Sequence, residues 1–266
     1  MGRRLGQHFL SRKSILDRIA RGACGDAGRC ALVIEIGPGK GALTGPLLEL
    51  ASQVVAIEVD PYLVHYLRQK FAGELETGRL TLIEGDVLKT DFAAIIRERG
   101  GRSSITGNLP YYITSPILER VFSLEGLWDR AVFLVQAEVA ARLAACPGSR
   151  SYGYLSVLTQ VHADPAILFE VPRASFHPPP KVDSAVIRLE PRDAAASGDL
   201  PERSAFLRFA AACFRHKRKT LRNNLAAMYA RESIDALAEA RLRAEQLSVH
   251  ELAAVYRKLE PAWPRA

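Results

Sequence analysis

From residue 31 to about 190, short apolar runs alternate with segments whose apolar positions recur at helical spacing. The runs are Ala31–Gly37, Val54–Asp60, Leu80–Asp86, Ser103–Asn108, Ala131–Gln136, Ala166–Val171 and Asp183–Glu190. The first three are β-branched and nearly continuous in apolar character, as strands covered on both faces of a parallel sheet must be. Helical patterns over Gly41–Ala51 and Pro61–Ala72 fill the gaps, and Asp60 stands as an N-cap before a first-turn Pro61. This rhythm predicts a doubly wound α/β sheet. The last connection breaks it. Only about a dozen residues, including the stiff Phe176–Lys181 stretch, separate Val171 from Asp183. That is short for a helical crossover, so the final strand is expected to run antiparallel to its neighbour in a sheet of six parallel strands and one antiparallel strand.

Residues 191–201 read as a linker, and beyond them the pattern is helical only. Helices are expected at Glu202–Cys213, Lys217–Tyr229, Ser233–Ala240 and Ser248–Leu259. The predicted organisation is a catalytic domain over 1–195 and a small helical domain over 196–266.

Composition narrows the partners. With 48% hydrophobic and 24% charged residues the 266-residue chain reads as a soluble globular protein. No apolar run approaches a bilayer span, and the N-terminus lacks the apolar core of a signal peptide. Four cysteines without metal-ligand spacing fit a reducing cytosol, so a cytoplasmic, metal-free protein is expected. The net charge of +7 is unevenly placed. Residues 1–21 hold six Lys/Arg against one Asp, and residues 201–266 hold thirteen against seven Asp/Glu, leaving the stretch between them net negative. Two basic flanks around an acidic core suggest a polyanion, most simply nucleic acid.

The first strand opens into Glu35-Ile-Gly37-Pro-Gly39-Lys-Gly41-Ala42. Glycines there let the turn tighten and let the backbone approach a ligand closely. Glu58 closes the second strand where a ribose-binding acid belongs, and Asp86 follows the third, where its carboxylate can accept from an adenine amine. All three fall at strand C-terminal ends, so an adenosine-containing ligand is expected. A dinucleotide fits this pattern too, and Asp86 could simply cap the next segment.

The fourth strand ends in Asn108-Leu109-Pro110-Tyr111. The lone pair of an adenine amine is delocalised into its ring and must be turned toward an electrophile. The Asn108 side-chain oxygen and the Leu109 carbonyl can hold the two N–H groups. Pro110 stiffens the turn, and Tyr111 offers a face for stacking. Such a site needs alignment and stabilisation of the charge growing on nitrogen more than it needs a base. Without the upstream glycine loop, the tetrapeptide would be only a strand-ending turn.

These motifs, with Leu5–Leu10, Ile34–Gly39, Ile57-Glu58, Gly85-Asp86, Phe176–Ser184, Arg218–Leu225 and Leu247-Ser248, resemble the ribosomal RNA adenine dimethylases nearly end to end. The resemblance implies a class I, Rossmann-like S-adenosylmethionine methyltransferase fold with a seven-stranded sheet. It implies S-adenosylmethionine as methyl donor, leaving S-adenosylhomocysteine, with contacts from His8, Leu10, Gly37, Gly39, Glu58, Asp86 and Asn108. It implies that Tyr111 and Phe176 sandwich the target base, although an ordinary packed Phe176 is the alternative. Within the family the small-subunit branch is the nearer match. It dimethylates two adjacent adenosines near the 3′ end of 16S rRNA during ribosome biogenesis, with the small-subunit precursor as partner. The chain departs from the family at His8, where asparagine is frequent, and at Tyr112, which replaces an asparagine.

Phosphate contacts are expected from Arg3, Arg4, Arg12 and Lys13 and from Arg215, Lys217, Arg218, Lys219 and Arg222, with Arg218 and Arg222 on one helix face. A solvated charge run is the alternative. The competing functions are a ribosome-assembly or transcription factor acting by RNA binding, a large-subunit dimethylase of the macrolide-resistance type, and a DNA adenine methylase. A monomer is expected.

Overall fold

The computed structural model describes residues 8–25, 30–110, 113–192 and 202–259. Two compact units emerge: one runs to Ala140 and resumes over Ala166–Pro191, and the other comprises Ala141–Pro165 with the chain from Arg192 onward.

In chain order the elements are β1 (Phe9–Leu10), α1 (Lys13–Cys24), β2 (Cys30–Ile36), α2 (Thr44–Leu50), β3 (Ala51–Glu58), α3 (Pro61–Lys70), α4 (Ala72–Glu76), β4 (Leu80–Glu84), α5 (Phe92–Glu98), β5 (Ser103–Asn108), α6 (Thr114–Phe122), β6 (Trp128–Gln136) and α7 (Ala137–Leu143). There follow α8 (Tyr154–His162), β7 (Ala163–Val171), β8 (Phe176–His177), β9 (Ser184–Pro191), α9 (Arg203–Cys213), α10 (Leu221–Leu225), α11 (Arg231–Asp235) and α12 (Val249–Leu259).

Seven strands form one sheet in the order β4-β3-β2-β5-β6-β9-β7. The pairs β2–β3, β2–β5, β3–β4 and β5–β6 are parallel, while β9 runs antiparallel to β6, so the expected Rossmann-like sheet with its reversed last strand is observed. Central strands carry continuous apolar residues because both faces are covered; Leu32, Val33, Ile34 and Ile36 of β2 are all buried. Helix α1 turns Ile15, Leu16, Ile19, Ala20 and Ala23 inward at helical spacing. At Gly107 a Cβ would stand 2.4 Å from the Ile36 carbonyl oxygen, so a side chain there would push β5 off β2. Asp60 caps α3 as expected, accepting from Tyr62 N at 2.9 Å with Pro61 in the first turn.

A second sheet, the antiparallel pair β1–β8, was invisible in the sequence pattern because each strand has two residues. It sets Leu10 opposite Phe176.

The second unit has its own core, and its boundary differs from the 1–195/196–266 division. Tyr152, Val157 and Val161 bury against Phe206, Phe209, Leu252 and Tyr256, so the segment from Ala141 to Pro165 belongs with the C-terminal helices. Local periodicity cannot reveal which core a helix joins. The helix expected over Lys217–Tyr229 is also shorter, because Thr220 is extended and α10 begins only at Leu221. Similarly, α11 covers only part of the expected Ser233–Ala240 helix, and a 3-10 turn over Ala238–Arg241 follows it.

Candidate functional site

The strand ends bring together the residues expected to bind adenosine. Glu58 and Glu84 are paired at the ends of β3 and β4, and Ile36 of β2 pairs with both Ile57 and Gly107. Gly37, Glu58, Asp86 and Asn108 therefore share one edge of the sheet.

Gly37 has φ +65° and is exposed, and a Cβ on it would meet nothing within 4 Å. The loop thus offers bare backbone to open space, a cradle for a ligand. Gly39 also has a positive φ, +58°, and donates its N–H to Glu58 Oε2 at 3.0 Å. Glu58 Oε1 accepts from Val59 N at 2.9 Å and Asp60 N at 3.0 Å. Three of roughly four acceptor directions of this buried carboxylate are filled, which fixes it while leaving room for one hydroxyl donor. Asp86 Oδ1 accepts from Leu88 N at 2.9 Å, so Asp86 does cap the following turn, with its second oxygen as a further acceptor. Acceptors for ribose and adenine beside an open glycine loop fit an adenosine ligand.

One acid that sequence reasoning passed over lies beneath this loop. Glu35 of β2 is 1% exposed and accepts from the Thr44 hydroxyl at 2.7 Å. Burial pushes its pKa up to about 7, and the neighbouring Glu58 charge adds to the rise against the opposing Thr44 hydrogen bond and Lys70 charge. Its signal was present in the sequence as an acid inside an apolar strand.

The described part of the tetrapeptide, residues 108–110, is tied down at each residue. Leu109, 1% exposed, donates its N–H to Leu134 O at 3.1 Å. The Pro110 carbonyl accepts from Ile113 N at 3.1 Å and from the Thr114 hydroxyl at 3.2 Å. Asn108, half-buried, donates Nδ2–H to the His8 carbonyl at 3.0 Å. His8 in turn donates from Nδ1 to the Pro178 carbonyl at 2.7 Å. Leu10 is buried in β1. Tyr111 and Tyr112 lie outside the described residues.

Phe176, expected to sandwich the target base or else to be an ordinary packed ring, lies in β8. It is 5% exposed, packed in the apolar cluster that contains Leu10, because its pairing with β1 tucks the ring inward.

Among the basic residues, Arg3 and Arg4 lie outside the described residues, and Arg12 and Lys13 are exposed at the start of α1. Arg215, Lys217, Arg218 and Lys219 are exposed on a turn ahead of α10, so Arg218 and Arg222 do not share a helix face. Lys217 Nζ donates to Arg150 O at 2.8 Å. Arg222 is engaged with Asp235 in a bidentate pair, Nε–Oδ1 2.5 Å and Nη2–Oδ2 2.8 Å. The turn itself is held by Asn224, which sequence reasoning missed. Its Nδ2 donates to Cys213 O at 2.8 Å, His216 O at 3.2 Å and Lys219 O at 3.3 Å, and its Oδ1 accepts from His216 N at 3.1 Å. Among the described residues no helix is long and apolar enough to cross a membrane.

Known proteins share this layout. The sequence model of the ribosomal RNA adenine dimethylase family matches residues 2–259. The ribosomal RNA small subunit methyltransferase A of Acidobacterium capsulatum is 44% identical over 265 residues, covering 97% of this chain and 90% of that protein. A crystal structure of a dimethyladenosine transferase from Plasmodium falciparum superposes with a TM-score of 0.79 at 26% identity, covering 96% of this chain and 98% of the other. The 23S rRNA methyltransferase ErmE follows with a TM-score of 0.71 at 25% identity, covering 95% and 99%. With a family match over nearly its whole length, the chain belongs to the ribosomal RNA adenine dimethylases.

Proposed function

We propose that this enzyme transfers methyl groups from S-adenosylmethionine to N6 of two adjacent adenosines near the 3′ end of 16S rRNA in the small-subunit precursor, acting as a cytoplasmic monomer. The observation that carries the reading is the fixed orientation of Asn108. One Nδ2–H donates to His8 O and holds the amide in place, and Oδ1 is its acceptor for an amine N–H. Asn108 lies one strand from the glycine loop, since β5 pairs with β2.

The methyl donor supplies an electrophilic methyl group. Gly37 and Gly39 would give it a backbone cradle, Glu58 would take a ribose hydroxyl and Asp86 would accept from its adenine amine. Leu10 and His8 close the site from the N-terminal side. Asn108 Oδ1 and the Leu109 carbonyl draw the two N–H groups of the target amine, turning its lone pair toward the methyl and stabilising charge as it grows on nitrogen. After transfer, with S-adenosylhomocysteine as the other product, the cationic amine would give its proton to solvent water, so no strong base is needed. Tyr111 stacks on the base, and Phe176 serves as an apolar wall behind it. The basic turn at Arg215–Lys219, with Arg12 and Lys13, contacts phosphates.

The small-subunit assignment rests on what the bacterial relatives are named for. Incubation with labelled S-adenosylmethionine and, separately, small subunits, large subunits, free RNA and DNA tests it. Label on adjacent small-subunit adenosines is expected; label on DNA alone, or on none of these, overturns the reading.

A further inference from the structure

Helix α3 exposes an aromatic face outside the proposed donor site. Tyr62 is 88% exposed and Tyr66 45%, and with a spacing of four residues they lie on one side of the helix. Only Val64 and Leu67 of this helix are buried. Tyrosine rings pair an apolar face with a polar edge, which suits them to contact a partner from an exposed position. Of the cations in its last turn, Arg68 pairs with Glu84 at 3.9 Å, while Lys70 has no carboxylate among its described hydrogen-bond partners; the acid nearest the helix start is its N-cap Asp60. The Lys70 ammonium stands 5.9 Å from the Tyr66 ring centroid and donates to Lys40 O at 2.9 Å, which keeps a cation beside the aromatic face. Exposed rings flanked by cations are what an unpaired RNA strand recognises, since every base has a face for stacking and every linkage a negative charge.

The placement suits such a strand. Tyr62 follows Glu58 by four residues, at the sheet edge where Asn108 also lies, and β3 and β5 flank β2. Their ends are about 10 Å apart, two strand spacings, a distance that a few nucleotides span.

We infer that Tyr62 and Tyr66 form a stacking platform for unpaired bases of the substrate RNA next to the target adenosines. This rests on the proposed action on ribosomal RNA. The test compares Tyr62→Ala/Tyr66→Ala with Tyr62→Phe/Tyr66→Phe in the full chain, using small subunits as substrate. The alanine pair is expected to weaken subunit binding by about fivefold or more, the low end of the range for removing a base stack. The slope of log Kd against log salt is expected to stay unchanged, because neither substitution removes a cation. Transfer at saturating subunit and the Kd for S-adenosylmethionine stay as in wild type, and the phenylalanine pair binds like wild type. A photoreactive residue placed at position 62 crosslinks to rRNA.

Unchanged subunit binding overturns the inference, as does a weakened S-adenosylmethionine Kd, which would make the tyrosines part of the donor site. Crosslinking to a ribosomal protein instead of rRNA also overturns it. If wild-type protein does not methylate small subunits at all, the failure lies in the proposed function and not in the platform.

Discussion

The side-chain amide of Asn108 donates to the main-chain carbonyl of His8 at 3.0 Å, across 100 residues of sequence. One bond thus joins the N-terminal segment to the end of β5 and fixes which way the amide oxygen faces. An acceptor oriented before the substrate arrives needs no reorganisation during transfer.

Replacing Asn108 with Ala removes that acceptor. Turnover should fall by about 10²-fold or more, the usual scale for losing one preorganised hydrogen-bonding group. Binding of small subunits should change little. Single-turnover transfer and a filter-binding Kd measure the two effects separately, and an equal loss of both would make Asn108 a structural residue.

Glu35 makes stability depend on pH. Its pKa rises from the ordinary 4.5 to about 7 in the fold, mainly through burial. Below the lower value the group is protonated folded or unfolded. Between the two, the folded chain keeps a proton that the unfolded chain has released, so stability falls as pH rises and levels off above 7. The loss is about 3 kcal/mol. Glu35→Gln still accepts from Thr44 and cannot titrate. Urea unfolding at pH 5 and pH 8 should show wild type losing more stability than the variant; parallel changes would mean that Glu35 titrates like a free carboxylate.

Asn224 makes four hydrogen bonds from a site that is 6% exposed. Asn224→Ala leaves buried carbonyls without donors, at a cost of about 2 kcal/mol or more. Thermal unfolding measures this cost. RNA affinity should fall as well, because the turn bearing Arg215–Lys219 loses its support, while S-adenosylmethionine binding is retained.

The basic turn and Arg222 should behave differently. Neutralising Arg215, Lys217, Arg218 and Lys219 together should flatten the salt dependence of RNA binding. The log–log slope should drop by roughly 0.7 for each single-strand phosphate that the protein no longer neutralises. Arg222→Ala should flatten it less, since its guanidinium is already committed to Asp235. Kd titrations over a range of salt decide the matter, and equal effects would mean that Asp235 releases Arg222 to the RNA.

Much of this was legible in order along the chain. The β-branched runs became β2, β3 and β4, Asp60 capped α3, and the short proline-rich connection led to an antiparallel β9. These features are local, set by side-chain period and turn chemistry. Phe176 was less legible, because exposure depends on what a ring packs against, and its neighbour Leu10 lies far away in sequence. The pairing of Arg222 was illegible for the same reason: its partner Asp235 sits beyond the helix that carries it.

What the sequence by itself determined is the sheet and the set of residues at its carboxyl edge, because strand period, glycine turns and proline stiffness act over a few bonds. Only the tertiary structure decided that Asn108 is aimed by His8, that Asn224 shapes the basic turn, and that Ala141–Pro165 joins the C-terminal helices. Each of these depends on a partner brought near by folding, and a hydrogen bond or a buried contact reads distance in space, not along the chain.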